Sequence, residues 1–115
     1  MANGKHISKN DILDLFGVKE NDLVHLCERH GVKSLAVFGS VAHNEFKSGQ
    51  SDIDFLVEYD PLQPGEHYEA YFGLWEELHA LFGRKIDLVE AKGMRNPYFI
   101  RAVNESRKLV YDAES

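Results

Sequence analysis

The stretch SLAVFGSVAHNEFKSGQSDIDFLVEYD, Ser34 to Asp60, joins two apolar runs through a Gly-Ser and a polar loop. The first run, within KSLAVFG, reads as a short strand closed by Gly39. The second, DIDFLVEY, is almost continuously apolar after Asp54, the pattern of a strand buried on both faces. Asp52 and Asp54 stand at its mouth. Residues two apart on a strand share a face, about 6.5 Å apart along the chain. The two carboxylates therefore project together, while Ile53 turns toward the core. Carboxylates this close repel unless a proton or a cation lies between them. Hard oxygen donors of this kind suit Mg²⁺ or Mn²⁺ better than zinc.

A third acid has the same setting. In RKIDLVE, Ile86 and Leu88 share one strand face and Asp87 takes the other. If this strand pairs beside DIDFLVEY, Asp52, Asp54 and Asp87 converge. Such a cluster can hold two metal ions about 3.5–4 Å apart, the arrangement that serves in-line phosphoryl or nucleotidyl transfer. The Gly-Ser supplies the complementary part. SVAHNEF reads as one or two helical turns starting at Ser40, and KSGQS reads as a loop. A helix N-terminus offers free N–H groups and a positive dipole end to a phosphate. Gly39 lets the backbone approach, and the Ser40 hydroxyl adds a hydrogen bond. Taken singly, a Gly-Ser is usually a turn with a helix cap and a DxD is usually a solvated strand start. The three elements agreeing in order and face favour a metal and phosphate site.

Outward from this segment, SKNDILDLFG reads as a helix capped by Ser8 and ended by Gly17, and KENDLVHLCERHG as a second helix ended by Gly31. EHYEAYFGLWEELHALFG is the longest helix. Its apolar residues, Tyr68, Tyr71, Phe72, Leu74, Trp75, Leu78, Leu81 and Phe82, follow helical spacing and predict a core-facing stripe. RKIDLVE is a strand, NPYFIRAVNES a helix with Pro97 in its first turn, and KLVYD a final extended run. Alternating helices and strands predict an α/β (α+β) fold, a sheet flanked by helices. The six histidines form no metal box, because His25 and His30 lie off a common helical face. Lys85 reads as a solvated strand-end charge.

The totals bound the rest. A chain of 115 residues suits one domain, 1–115, with a helical segment at about 8–31. The formal net charge of -6 argues against direct nucleic-acid binding, which calls for a basic face. It leaves nucleotides open, since a metal ion supplies the missing charge. The single cysteine, Cys27, excludes an intrachain disulfide and reads as a core residue of a cytoplasmic protein. No apolar run reaches about 18 residues, and the polar start predicts neither a membrane span nor a secretory leader.

FGS at Phe38–Ser40, SDIDFLVE at Ser51–Glu58 and GRKIDLVE at Gly83–Glu90 make the chain resemble the minimal nucleotidyltransferases, the MNT-type antitoxins of the DNA polymerase β-like superfamily. NPYFIRAV and KLVYD are similar to that family's tail, so the resemblance covers about Val32 to Tyr111. It implies a mixed sheet flanked by helices, nucleotide phosphates at Gly39 and Ser40, and metals at Asp52, Asp54 and Asp87. It also implies Mg²⁺-dependent transfer of AMP from ATP to a tyrosine of a helical HEPN-type toxin. Two departures stand out. The family often has an arginine and a glycine where His43 and Asn44 stand, and the stretch from Ser40 to Asp52 is one residue longer than usual. The changes at His43 and Asn44 leave room for an antitoxin that acts by covering its toxin. A third alternative is the nucleotide-binding subunit of a two-chain small-molecule nucleotidyltransferase.

Overall fold

A computed structural model of the chain describes residues 8–39, 42 and 52–114. Its elements run α1 (Lys9–Leu15), α2 (Glu20–Arg29), β1 (Val32–Phe38), β2 (Ile53–Tyr59), α3 (His67–Phe82), β3 (Ile86–Glu90), α4 (Pro97–Ser106) and β4 (Lys108–Asp112). A single 3-10 turn, Ala91–Gly93, which the sequence pattern does not announce, links β3 to α4.

Local chemistry starts and stops these elements as the sequence predicts. Ser8 and Asp11 form a capping box: the Asp11 N–H donates to Ser8 Oγ and the Ser8 N–H to the Asp11 carboxylate. Asn96 Oδ1 accepts from the N–H groups of Tyr98 and Phe99, and Pro97 occupies the first turn of α4, where no intrahelical donor is needed. α3 ends at Gly83 in the left-handed conformation.

The strands form one mixed sheet in the order β3-β2-β1-β4. β1 lies antiparallel to both neighbours, and β2 runs parallel to β3. The crossover from β2 to β3 is α3, as a parallel pair requires.

Alternation along the strands divides the core in two. Leu35, Val37, Ile53, Phe55, Val57, Ile86 and Leu88 pack with residues of α1, α2 and α3 on one face. Ala36, Phe38 and Leu56 pack with Val103 of α4 on the other. The continuous run Phe55-Leu56-Val57 is buried throughout because both faces are covered. Cys27 is fully buried, and burial, with Glu28 adding to it, pushes its thiol up to about 12. Among the described residues no helix is long and apolar enough to cross a membrane.

The stripe on α3 differs from its sequence pattern. Ala70, Leu74, Leu78 and Phe82 are its buried residues, whereas Tyr68 is 70% exposed and Phe72 47% exposed. The two exposed rings instead pack against each other at a tilt of 40°, 4.6 Å between centroids. The flanking aromatics hold the sheet edge. Tyr71 Oη donates to the Leu88 carbonyl at 2.6 Å and Trp75 Nε1 to the Ile86 carbonyl at 3.1 Å. β3 ends the sheet, so these bonds seal backbone acceptors on an edge strand.

Candidate active site

Asp54 is the second residue of β2 and Asp87 the second of β3, and the parallel register sets them directly opposite each other. In the antiparallel register of β1 and β2, Asp54 is also opposite Phe38. Phe38, Asp54 and Asp87 therefore form one rung across three strands. Their strand neighbours Val37, Ile53, Phe55, Ile86 and Leu88 belong to the core on the far face. Alternation thus turns the rung to the face that α4 partly covers. Asp52 lies immediately before β2 and is exposed. The first bond of the parallel ladder, from the Ile53 N–H to the Lys85 carbonyl at 3.0 Å, fixes the two strand starts beside it. Lys85 is exposed, as expected.

The three acids are unequally placed. Asp54 is half-buried, while Asp52 and Asp87 are exposed. Burial first, then the charges of Asp87 and Asp52, push the Asp54 carboxyl up to about 6. Among the described residues no three His, Cys, Asp or Glu side chains are gathered at metal-ligand spacing. The donor set is nonetheless that of a hard dication: carboxylates converging on one sheet face, one of them disfavoured as an anion by the others. A divalent ion at the rung would relieve that repulsion, so these residues fit Mg²⁺ or Mn²⁺.

Gly39 follows the rung at the end of β1 with φ of 74°, a conformation that favours glycine. A β-carbon added there would stand 2.5 Å from Asp54 Oδ2. The glycine is thus required twice, for its backbone and for the space of the carboxylate. Its N–H donates to the hydroxyl of Ser106, at 3.4 Å. Ala42 is buried. Ser40, His43, Asn44 and the KSGQ loop lie outside the described residues.

Two neighbours of the rung were not singled out from sequence. Phe99, at the start of α4, packs edge-on against Phe38, with centroids 6.0 Å apart at 80°. This aromatic wall stands one strand away from Asp54. The other is Ser106, reached through Gly39. The NPYF stretch hinted at the first only as a helix start, and a serine in VNES carries no signal. A cavity of about 320 Å³ lies elsewhere, lined by Tyr59, His67, Glu90 and Lys92 at the far ends of β2 and β3, and none of the three aspartates lines it.

Comparison with known proteins bears on the family and the fold. A family model described as a nucleotidyltransferase domain matches residues 23–110. A Methanocaldococcus jannaschii protein named "Putative protein adenylyltransferase MJ0128" is 41% identical over 86 residues, covering 75% of this chain and 82% of that protein. Among solved structures, one described as a "putative minimal nucleotidyltransferase" superposes with a TM-score of 0.63 at 29% identity, covering 90% of this chain and 97% of the other. The MNT antitoxin in a complex with tri-AMPylated Shewanella oneidensis HEPN toxin is a more distant likeness. Its TM-score is 0.54 at 20% identity, over 83% of this chain and 71% of that one, a likeness of fold.

Proposed function

The chain belongs to the nucleotidyltransferase domain family and is a nucleotidyltransferase, and from that premise we propose that it transfers AMP from ATP to a tyrosine hydroxyl of a partner protein. The observation that carries this reading is the in-register pair Asp54 and Asp87, with Gly39 pressed against Asp54. Three acids at one end of two strands cost stability when nothing neutralises them. A purely structural surface has no use for that arrangement.

In this reading Asp52, Asp54 and Asp87 hold Mg²⁺, and Gly39 and Ser40 cradle the triphosphate. The bound ion supplies charge neutralisation and lowers the pKa of the acceptor hydroxyl. The acceptor oxygen attacks the α-phosphorus of ATP. The bond from that phosphorus to its bridging oxygen breaks, and pyrophosphate leaves with the electron pair. The hydroxyl proton passes to Asp87, the exposed member of the rung and so the carboxylate open to an incoming acceptor. Asp54, deeper in the site and wedged against Gly39, positions and does not exchange protons with the acceptor.

The partner in this reading is a helical HEPN-type toxin, and the chain is its antitoxin. The pairing and the AMPylated state of the toxin in the Shewanella complex support it. So does the naming of the archaeal relative as a protein adenylyltransferase. The test is the intact mass of a HEPN-type partner after incubation with ATP, Mg²⁺ and either wild type or Asp54→Asn. A gain of one or more AMP units with wild type alone supports the transferase. No adduct, together with protection from the toxin by Asp54→Asn, means that the chain neutralises by binding.

A further inference from the structure

We propose that Ser106 is a positioning residue of the nucleotide site: its hydroxyl takes the Gly39 N–H and so fixes the turn that shapes the Asp54 carboxylate. The proposal rests on the nucleotidyltransferase reading above. Ser106 is the one polar residue among the described buried residues, 7% exposed at the last turn of α4.

The reason for its position lies in the β1–β4 ladder. Ala36 pairs with Leu109 and Val37 with Lys108. Continued by two residues, the same register sets Gly39 opposite Ser106. At that point β4 has not begun. Residue 106 is still the last residue of α4, so the ladder does not reach it. Where a continued ladder would place β4, the Gly39 N–H donates to the Ser106 side chain. A buried donor without an acceptor is costly, so the hydroxyl stabilises one setting of the Gly39 peptide.

That setting matters because Gly39 is in contact with the chemistry. Its backbone has φ of 74°, and its Cα side faces Asp54 Oδ2 so closely that no β-carbon fits. A rotation of the peptide would move the wall of the Asp54 carboxylate and the chain leading into Ser40. Ser106 thus ties the end of α4 to the turn without touching a substrate. The Gly39 N–H is engaged by this bond, so the part of Gly39 in the proposed cradle is the shape of its turn and not its N–H.

The experiment compares wild type, Ser106→Ala and Ser106→Thr, by calorimetric titration with Mg²⁺ and ATP and by amide hydrogen exchange at Gly39. Alanine removes the acceptor and threonine keeps it. Ser106→Ala should bind nucleotide about fivefold to tenfold more weakly, the scale of one hydrogen bond, and its Gly39 amide should exchange faster. Ser106→Thr should restore both. Unchanged affinity and exchange in Ser106→Ala would overturn the proposal. So would an equal loss in both variants, since packing and not the hydroxyl would then be responsible. Should threonine disturb the fold in a melting curve, Ser106→Cys, nearly isosteric with a weak acceptor, takes its place and should resemble alanine. If wild type itself binds no nucleotide, the transferase reading fails, and Gly39 exchange alone decides whether Ser106 sets the turn.

Discussion

Asp54 and Asp87 face each other in register across the parallel pair of β2 and β3. Parallel pairing is what makes this meeting informative. The same end of both strands arrives at one place, so two acids near two strand starts become neighbours. With β3 antiparallel to β2, Asp87 would lie toward the opposite end of the sheet.

The burial of Asp54, with the charges of Asp87 and Asp52 adding to it, has a sign in pH. Asp54 has an ordinary value of 3.8 and is held at about 6 in the fold. A raised carboxyl favours the protonated folded state. Its contribution is complete below about 4 and is lost as pH rises through about 6. Melting temperatures of metal-free wild type and Asp54→Asn should therefore diverge across that window. The variant gains relative to wild type as pH rises, and saturating Mg²⁺ should narrow the gap at neutral pH. A difference independent of pH would contradict the burial and crowding of Asp54.

Gly39 and Gly65 provide a paired test of the turn. Both have positive φ, but an added β-carbon meets Asp54 only at Gly39 and nothing within 4 Å at Gly65. Alanine at Gly65 should cost about 1–2 kcal/mol of left-handed strain. Alanine at Gly39 should cost more in urea unfolding. An Asp54→Ala background should recover the excess, as coupled neighbours do. Equal costs at both glycines would remove Asp54 from contact with the turn.

Tyr71 positions Asp87 at one remove, by bonding the Leu88 carbonyl of the edge strand. Tyr71→Phe should lower stability by about 1 kcal/mol. It should also raise hydrogen exchange along β3 more than along β1. A uniform change would mean that the hydroxyl does not hold the edge.

The helix and strand pattern was legible because each element carries its own signal: Ser8 as a cap, Pro97 in a first turn, glycines at the ends, and continuous apolar runs where both faces are covered. The carboxylates of β2 and β3 were legible for the same reason, since period two alone assigns their faces. Adjacency of strands is a tertiary fact, and nothing local states that β4 adds beside β1. The aromatic stripe of α3 was read too widely. Helical spacing counts Tyr68 and Phe72 as apolar, but the buried face of the helix is the one that Ala70, Leu74, Leu78 and Phe82 share, and these two rings stay exposed. Ser106 was invisible because its role depends on a ladder position that the sequence does not display.

On the proposed reading, the rung of Asp54 and Asp87 is where a divalent ion and a nucleotide meet. Calorimetric titration of ATP into wild type and into Asp54→Asn/Asp87→Asn, each with and without Mg²⁺, tests it most directly. Wild type should bind ATP with Mg²⁺ and much more weakly without it. The double variant should lose about tenfold or more of the metal-dependent affinity, roughly 1.4 kcal/mol, while its melting curve shows a folded protein. Equal, metal-independent binding by the two proteins would contradict the account.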